Sequence, residues 1–186
     1  MARYIAFLRG INVGGHQVTM DDLRRSFEAL DFDNVATFIA SGNVIFDAGN
    51  PKPATLTRRI ERQLRDSLGY EVPTFLRTDA ELARIADHEP FPDLDAADGD
   101  SSYVAFLYKR PTAAAAKKVV AMSNETDHVA IHDRELYWRI RGRMVDSTLG
   151  AAVFEKELGS VPATVRNLNT VRRLAAKYPP ARAGRT

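Results

Sequence analysis

The stretch from Arg3 to Asn43 constrains the fold more than any other part of the chain. It opens with Tyr4-Ile5-Ala6-Phe7-Leu8, an apolar run with side chains on both faces, which reads as a central β-strand. Gly10-Ile11-Asn12-Val13-Gly14-Gly15 follows, and its glycines permit a tight turn or a close approach of backbone to a ligand. Thr19 stands at the spacing that caps the amide of Asp22, with Val18 and Leu23 at the spacing of a hydrophobic staple. Met20, Leu23, Phe27 and Leu30 then share one face at three- and four-residue intervals. The unit is strand, glycine loop, helix.

The residues after Leu30 extend that unit. Val35 to Ala40 reads as a strand, Ser41-Gly42-Asn43 as a tight turn, and Val44 to Asp47 as the antiparallel return. A helix from about Thr55 to Leu68 turns Leu56, Ile60, Leu64 and Leu68 inward, pairs Glu61 with Arg65 outside, and stops at Gly69. Val72 to Arg77 is a fourth strand. The order β-α-β-β-α-β is the ferredoxin-like pattern. Thr78-Asp79-Ala80-Glu81 is a capping box that opens a short helix ending near Asp87.

After an acidic, proline-bearing connection the pattern recurs. Tyr103-Val104-Ala105-Phe106-Leu107 echoes Tyr4-Ile5-Ala6-Phe7-Leu8. A helix from about Thr112 to Met122, strands at His128 to His132 and Glu135 to Arg141, and a helix from about Ser147 to Leu158 come next. A helix near Thr164 to Lys177 takes the place of the expected last strand. The expected fold class is therefore α+β, a tandem duplication of ferredoxin-like halves, the second ending in an extra helix instead of a last strand. Residues 1–78 form the first half with the glycine loop, 79–178 the second half with its C-terminal helix, and 179–186 a disordered tail.

Charge and composition exclude several classes. Twenty-six basic residues against 24 acidic leave a formal charge of +2, so no strong global field draws the chain to nucleic acid or membrane. The basic residues gather at the end: from Leu158 onward there are six Lys or Arg and no acid. The absence of cysteine removes disulfides, thiolate metal sites and cysteine nucleophiles. No apolar run approaches the ~20 residues of a membrane span, and no signal peptide is evident, so the expected location is cytoplasmic.

If the first and second strands run the same way, the glycine loop and the Ser41-Gly42-Asn43 turn lie on one edge, and Arg9, Asn12, Ser41 and Asn43 converge there. Backbone amides, a helix start and a guanidinium together suit an anion. Gly10 and Gly15 have the spacing of a phosphate-binding loop, but His16 and Gln17 replace its Lys and Ser or Thr, which excludes a nucleotide triphosphatase of that type. Glycines that only make turns are the plain alternative. Near the C-terminus, helical spacing buries Leu168, Val171 and Leu174 and places Arg166, Thr170, Arg173 and Lys177 on the opposite stripe. That stripe reads either as a solvated face or as one whose Arg166 and Asn167 reach the ligand of the glycine loop.

Other motifs carry less. An RNA-recognition reading needs aromatics on the third strand, which offers Phe46 alone. His128 and His132 share a strand face, but no thiolate or third clustered ligand supports a metal, and none is expected. Asp146-Ser147 reads as a helix cap, and Tyr137 and Trp138 as packing residues.

Three segments taken together, Leu8-Arg9-Gly10-Ile11-Asn12-Val13-Gly14-Gly15, Ser41-Gly42-Asn43-Val44 and Thr164-Val165-Arg166-Asn167-Leu168-Asn169-Thr170-Val171, resemble the uncharacterised bacterial family known as domain of unknown function 1697. The resemblance implies a cytoplasmic α/β protein with no established activity or cofactor. It marks Arg9, Asn12, Ser41, Asn43, Arg166 and Asn167, and it departs at Leu168, where the family usually has Trp. The leading expectation is a binding protein for a small phosphate- or carboxylate-bearing ligand. Arg9 and Arg166 neutralise its charge, Gly14 and Gly15 cradle its oxygens, and Asn12, Ser41, Asn43 and Asn167 orient it. Two alternatives stay open: nucleic-acid association through the basic C-terminal helix, and an enzyme acting on a nucleotide or phosphorylated substrate with His16 as the titrating group. No cofactor is implied, and nothing in the sequence sets the oligomeric state.

Overall fold

Tyr4 to Leu8 form the centre of a sheet, as their two-sided apolar character requires. In the computed structural model, which describes residues 1–180 except 13, 16, 40, 41, 50 and 96–98, β1 (Ala2–Leu8) lies between two antiparallel neighbours. The first half continues with α1 (Met20–Glu28), β2 (Asp33–Thr37), β3 (Asn43–Ala48), α2 (Pro53–Leu68) and β4 (Thr74–Thr78), and α3 (Asp79–Asp87) follows it directly. Its sheet order is β2-β3-β1-β4. Tyr4, Ala6 and Leu8, alternate residues of β1, join Val44, Phe46 and Leu76 in a core closed by Leu23 and Phe27 of α1 and Leu56, Ile60 and Leu64 of α2. Each buried Val, Leu, Ile or Phe side chain of this core contributes ~1.5–3 kcal/mol by leaving water.

The helix ends follow the expected chemistry. The Thr19 hydroxyl accepts from the amide of Asp22 at 3.1 Å, completing a capping box at the start of α1. Gly69 ends α2 in the left-handed region at φ 84, where glycine carries no Cβ penalty. The Thr78 hydroxyl accepts from the Glu81 amide, and the Glu81 carboxylate accepts from the Thr78 amide at 2.8 Å. The expected Glu61–Arg65 pair does not form. Glu61 instead accepts from the amide of Thr74 at the start of β4, and Arg65 pairs with Asp66 and Glu71.

The second half comprises β5 (Ser101–Leu107), α4 (Ala113–Val120), β6 (Asp127–His132), β7 (Glu135–Ile140), α5 (Ala151–Glu157), β8 (Ala163–Asn167) and α6 (Leu168–Lys177). Its sheet order is β6-β7-β5-β8. The protein is thus mixed α+β, with two four-stranded antiparallel sheets and six α-helices among the described residues. Contacts divide the chain into two units, Met1–Arg84 with Leu174–Thr186, and Ile85–Arg173.

Two sequence expectations are corrected. The second half does not lack its last strand, because residues 163–167 form β8 rather than the first turn of a helix. Thr164 and Val165 are β-branched and favour a pleated surface, Ala163 and Val165 pack in the core, and Thr164 and Arg166 take the opposite face. Helix begins only after Asn167, whose side-chain oxygen accepts from the Asn169 amide at 2.9 Å. Leu168, Val171 and Leu174 are then buried, as the spacing predicts. Asp146-Ser147 also does not cap a helix that starts at Ser147. Asp146 instead caps the single 3-10 turn Met144–Asp146, its carboxylate accepting from the Arg143 amide at 2.7 Å, while the Ser147 hydroxyl donates to the buried Asp127 carboxylate and α5 starts at Ala151. Of the tail expected to be disordered, residues 181–186 lie outside those described.

Candidate functional site

The end of β1 and the tip of the β2–β3 hairpin meet at one end of the first sheet. The Leu8 amide donates to the Gly42 carbonyl at 2.8 Å. Gly42 has φ 71, and a Cβ there would lie 3.1 Å from Ile11 and 3.2 Å from Leu8, so the approach depends on its being glycine. The stretch before β4 joins them: the Arg9 amide donates to the Pro73 carbonyl at 2.9 Å, and the Tyr70 hydroxyl donates to the Ile11 carbonyl at 2.8 Å. The two bends that the sequence placed on one edge are therefore in contact.

Beyond Ile11, Asn12, Gly14, Gly15 and Gln17 are exposed. The Asn12 side-chain oxygen accepts from the Val18 amide at 2.9 Å, tying the outgoing limb of the loop to its return. Between them Gly14 and Gly15 take φ 67 and 85 and are exposed, with nothing within 4 Å of where a Gly15 Cβ would sit. Two hollows flank the return limb. One of about 480 Å³ is lined by Asn12, Gly15, Gln17, Val18 and Thr19. The other, about 400 Å³, is shared by Gln17, Val18, Asp22, Arg25, Ser26 and Tyr70 among others.

Asp22 lines the second hollow, and its charge is offset. Its carboxylate accepts from the Thr19 hydroxyl and from Arg25, each at 2.6 Å. Those two bonds, with Thr19 first, hold its carboxyl below the usual carboxylate range.

The sequence-predicted residues have separate local roles. Arg9 is half-buried beside the hairpin tip. Asn43 is wholly buried, and its amide donates to the Phe38 carbonyl at 3.0 Å, bridging the base of the hairpin loop. Ser41 and His16 lie outside the described residues.

Arg166 and Asn167 belong to the second unit. Arg166 lies in β8, not on the stripe of α6, and is 9% exposed. Its Nη1 donates to the Thr164 hydroxyl and the Val165 carbonyl, both at 2.9 Å. Burial pushes its pKa down to about 10, which leaves it charged at neutral pH. Arg77 is its counterpart by register, opposite Ile5 as Arg166 is opposite Val104, and is 1% exposed with Nη1 donating to the Leu76 carbonyl. The same register position of both sheets thus carries a buried arginine that donates to the carbonyl of the preceding residue. Asn167 caps α6 as Thr78 caps α3.

On α6 itself the basic residues touch protein. Arg172 donates to the Ala86 carbonyl, and Lys177 sits over the rings of Phe38 and Tyr178. His132 stacks on His88 at 4.6 Å between ring centroids, and His128 packs edge-on to Phe91. Among the described residues no group of three His, Cys, Asp or Glu has the arrangement to hold a metal. Gln17, which lines both hollows, and Tyr70, which props the loop, carried no motif that marked them; only Tyr70's place after the Gly69 helix stop hinted at a turn toward the loop.

Residues 1–137 match the family described as Protein of unknown function (DUF1697). The chain belongs to that family. Two of the three segments that carried the resemblance, in the glycine loop and the hairpin, fall inside the matched region, and the β8–α6 segment lies beyond it. A search of curated proteins gives no match. Among solved structures, a conserved bacterial protein, SP0830 from Streptococcus pneumoniae, is similar to this DUF1697 chain over 96% of its length and 98% of the other's, with a TM-score of 0.69 and 21% identity. At that identity the likeness concerns the fold alone. Among the described residues no helix is long and apolar enough to cross a membrane.

Proposed function

We propose that this DUF1697 protein binds a small phosphate- or carboxylate-bearing molecule at the exposed glycine loop, in the hollow lined by Asn12, Gly15, Gln17, Val18 and Thr19. We also infer that the two halves arose as a ferredoxin-like duplication, on the strength of their equal strand order and the repeated pairings Tyr4 with Thr78 and Tyr103 with Asn167.

One observation carries the binding site. The β1–α1 connection, residues 9–19, has eleven residues, whereas the β5–α4 connection, residues 108–112, has five. The hairpin loop differs in the same direction, with residues 38–42 in the first half and only 133–134 in the second. Both extensions fall at the end of the sheet where Leu8 meets Gly42. Packing needs neither, since the second half closes the same sheet without them.

In this reading the backbone amides of Gly14 and Gly15 face the ligand oxygens, Gln17 orients it, and Arg9 supplies charge. The Asn12 and Tyr70 bonds hold the loop ready, so little ordering cost falls on binding. Asn43, Arg166 and Asn167 act as framework rather than as ligand contacts.

A thermal-shift screen over inorganic phosphate, nucleotides, sugar phosphates and organic acids tests the proposal. A true ligand at 100 times its Kd stabilises by ~2.7 kcal/mol. Arg9→Ala and Gln17→Ala abolish that gain, while Asn167→Ala keeps it. No stabilising compound, or an unchanged gain in Arg9→Ala, contradicts the site.

A further inference from the structure

A second groove, of about 430 Å³, lies at the opposite end of β1, where Ala48 pairs with Ala2. Its apolar lining includes Met1, Leu30, Phe32 and Pro51, and its charged side chains are Asp31 and Arg59. Phe32 is held rigidly, stacked on Phe46 at 4.5 Å between centroids. Arg59 is held as well: its Nη2 donates to the Leu30 carbonyl at 3.1 Å, and its guanidinium lies 5.5 Å from the centre of the Phe32 ring. Among the described residues no acceptor engages its Nε or Nη1, and no ion pair or hydrogen bond engages the Asp31 carboxylate.

Two opposite charges thus line one groove without joining each other. An Arg and an Asp on flexible side chains would gain little by pairing at the surface, but here the guanidinium is already positioned by a carbonyl and a ring. Asp31 sits at φ 56, a left-handed conformation in which Asp is tolerated better than most residues, and its amide donates to the Glu28 carbonyl at 3.0 Å. That turn holds its place on the rim. A fixed cation with open donors, an open anion and apolar side chains line the same groove and together complement one ligand chemistry. The ligand carries a carboxylate, an ammonium and an apolar body.

We propose that this groove binds a free apolar α-amino acid. Its carboxylate takes the open donors of Arg59, its ammonium faces Asp31, and its side chain lies over Leu30, Phe32 and Pro51. The site is separate from the glycine loop and does not depend on it.

Calorimetric titration of the full chain with L-leucine, N-acetyl-L-leucine and L-leucinamide tests the proposal, since the last two each lack one charge. The expected result is saturable binding of leucine and at least about tenfold weaker binding of either analogue, each charge contact being worth about one decade. Arg59→Ala and Asp31→Asn weaken leucine about tenfold each, and Asn tolerates the same left-handed backbone, so loss of fold does not confuse the second variant. Arg9→Ala leaves leucine binding unchanged, which separates this groove from the glycine-loop site. Absence of saturable leucine binding overturns the proposal. So does equal affinity for the N-acetyl or amide form, or full affinity in Arg59→Ala.

Discussion

The two halves share a strand order and a register but place their longest connections at opposite ends of their sheets. In the first half the long connection is residues 9–19, after β1; in the second it is residues 141–150, after β7. They also differ in how they are held. The second is pinned from beneath by Asp127, which is fully buried and accepts from Trp138 Nε1 at 2.8 Å, from the Ser147 hydroxyl and from the Thr148 amide. The first is tethered by Asn12 to Val18 at the surface and leaves its glycines exposed. A loop anchored to a buried charge is a structural closure, whereas one tied only at its neck presents its backbone. On a common framework, that difference favours the first loop as the binding element.

Cutting the two tethers tests that contrast most strongly. Asp127→Ala leaves buried donors on Trp138 and Ser147 without an acceptor and lowers unfolding stability by about 3 kcal/mol in urea titration. Asn12→Ala, at an exposed bond, costs about 1 kcal/mol or less. Equal losses would erase the distinction. Next in size, Gly42→Ala costs about 2 kcal/mol, because it adds a crowded Cβ to a left-handed residue, while Gly15→Ala costs about 1 kcal/mol from backbone alone.

The pH dependence sharpens the same point. Burial by itself would raise the Asp127 carboxyl, but hydrogen bonds from Ser147, Trp138, Thr148 and Asn124 outweigh it and hold the carboxyl below the ordinary carboxylate value. A lowered folded-state pKa contributes stability that is present above the unfolded value of about 3.9 and is lost as pH falls through the folded one. Wild type therefore loses stability in acid below about pH 4 more steeply than Asp127→Asn, which has no such proton to take up. The smallest effect is expected at the short turn of the second half. Asp133→Gly relieves φ 54 but gives up an exposed pair with Arg110, and it changes stability by about 0.5 kcal/mol or less.

Most of the framework was legible because local signals agree with it. Thr19, Gly69 and Thr78 sit where helix-end chemistry requires them, and the apolar faces of α1 and α2 are the buried ones. β8 was missed because Arg166-Asn167-Leu168 runs into a strongly helical pattern and five residues give a weak two-residue alternation. The legible clue was Asn167 itself, a capping residue immediately before Leu168, with β-branched Thr164 and Val165 ahead of it. The candidate site was only partly legible. Contact between the glycine loop and the hairpin follows from strand direction, but the local hydrogen bonds that Asn43, Arg166 and Asn167 make are not readable from composition, which marks polar side chains without saying what they bond. Arg59 and Asp31 belong to no motif; their meaning comes from a groove that forms only when the α1–β2 and β3–α2 connections come together.

Amide chemical-shift mapping during titration with phosphorylated and carboxylated compounds tests the functional assignment of the first loop most directly. The expected outcome is a ligand whose saturating shifts cluster in residues 9–19 and 38–43 and spare the matching short connections, 108–112 and 133–134. Shifts spread equally over both sets, or a ligand that saturates the protein without moving residues 9–19, would contradict it.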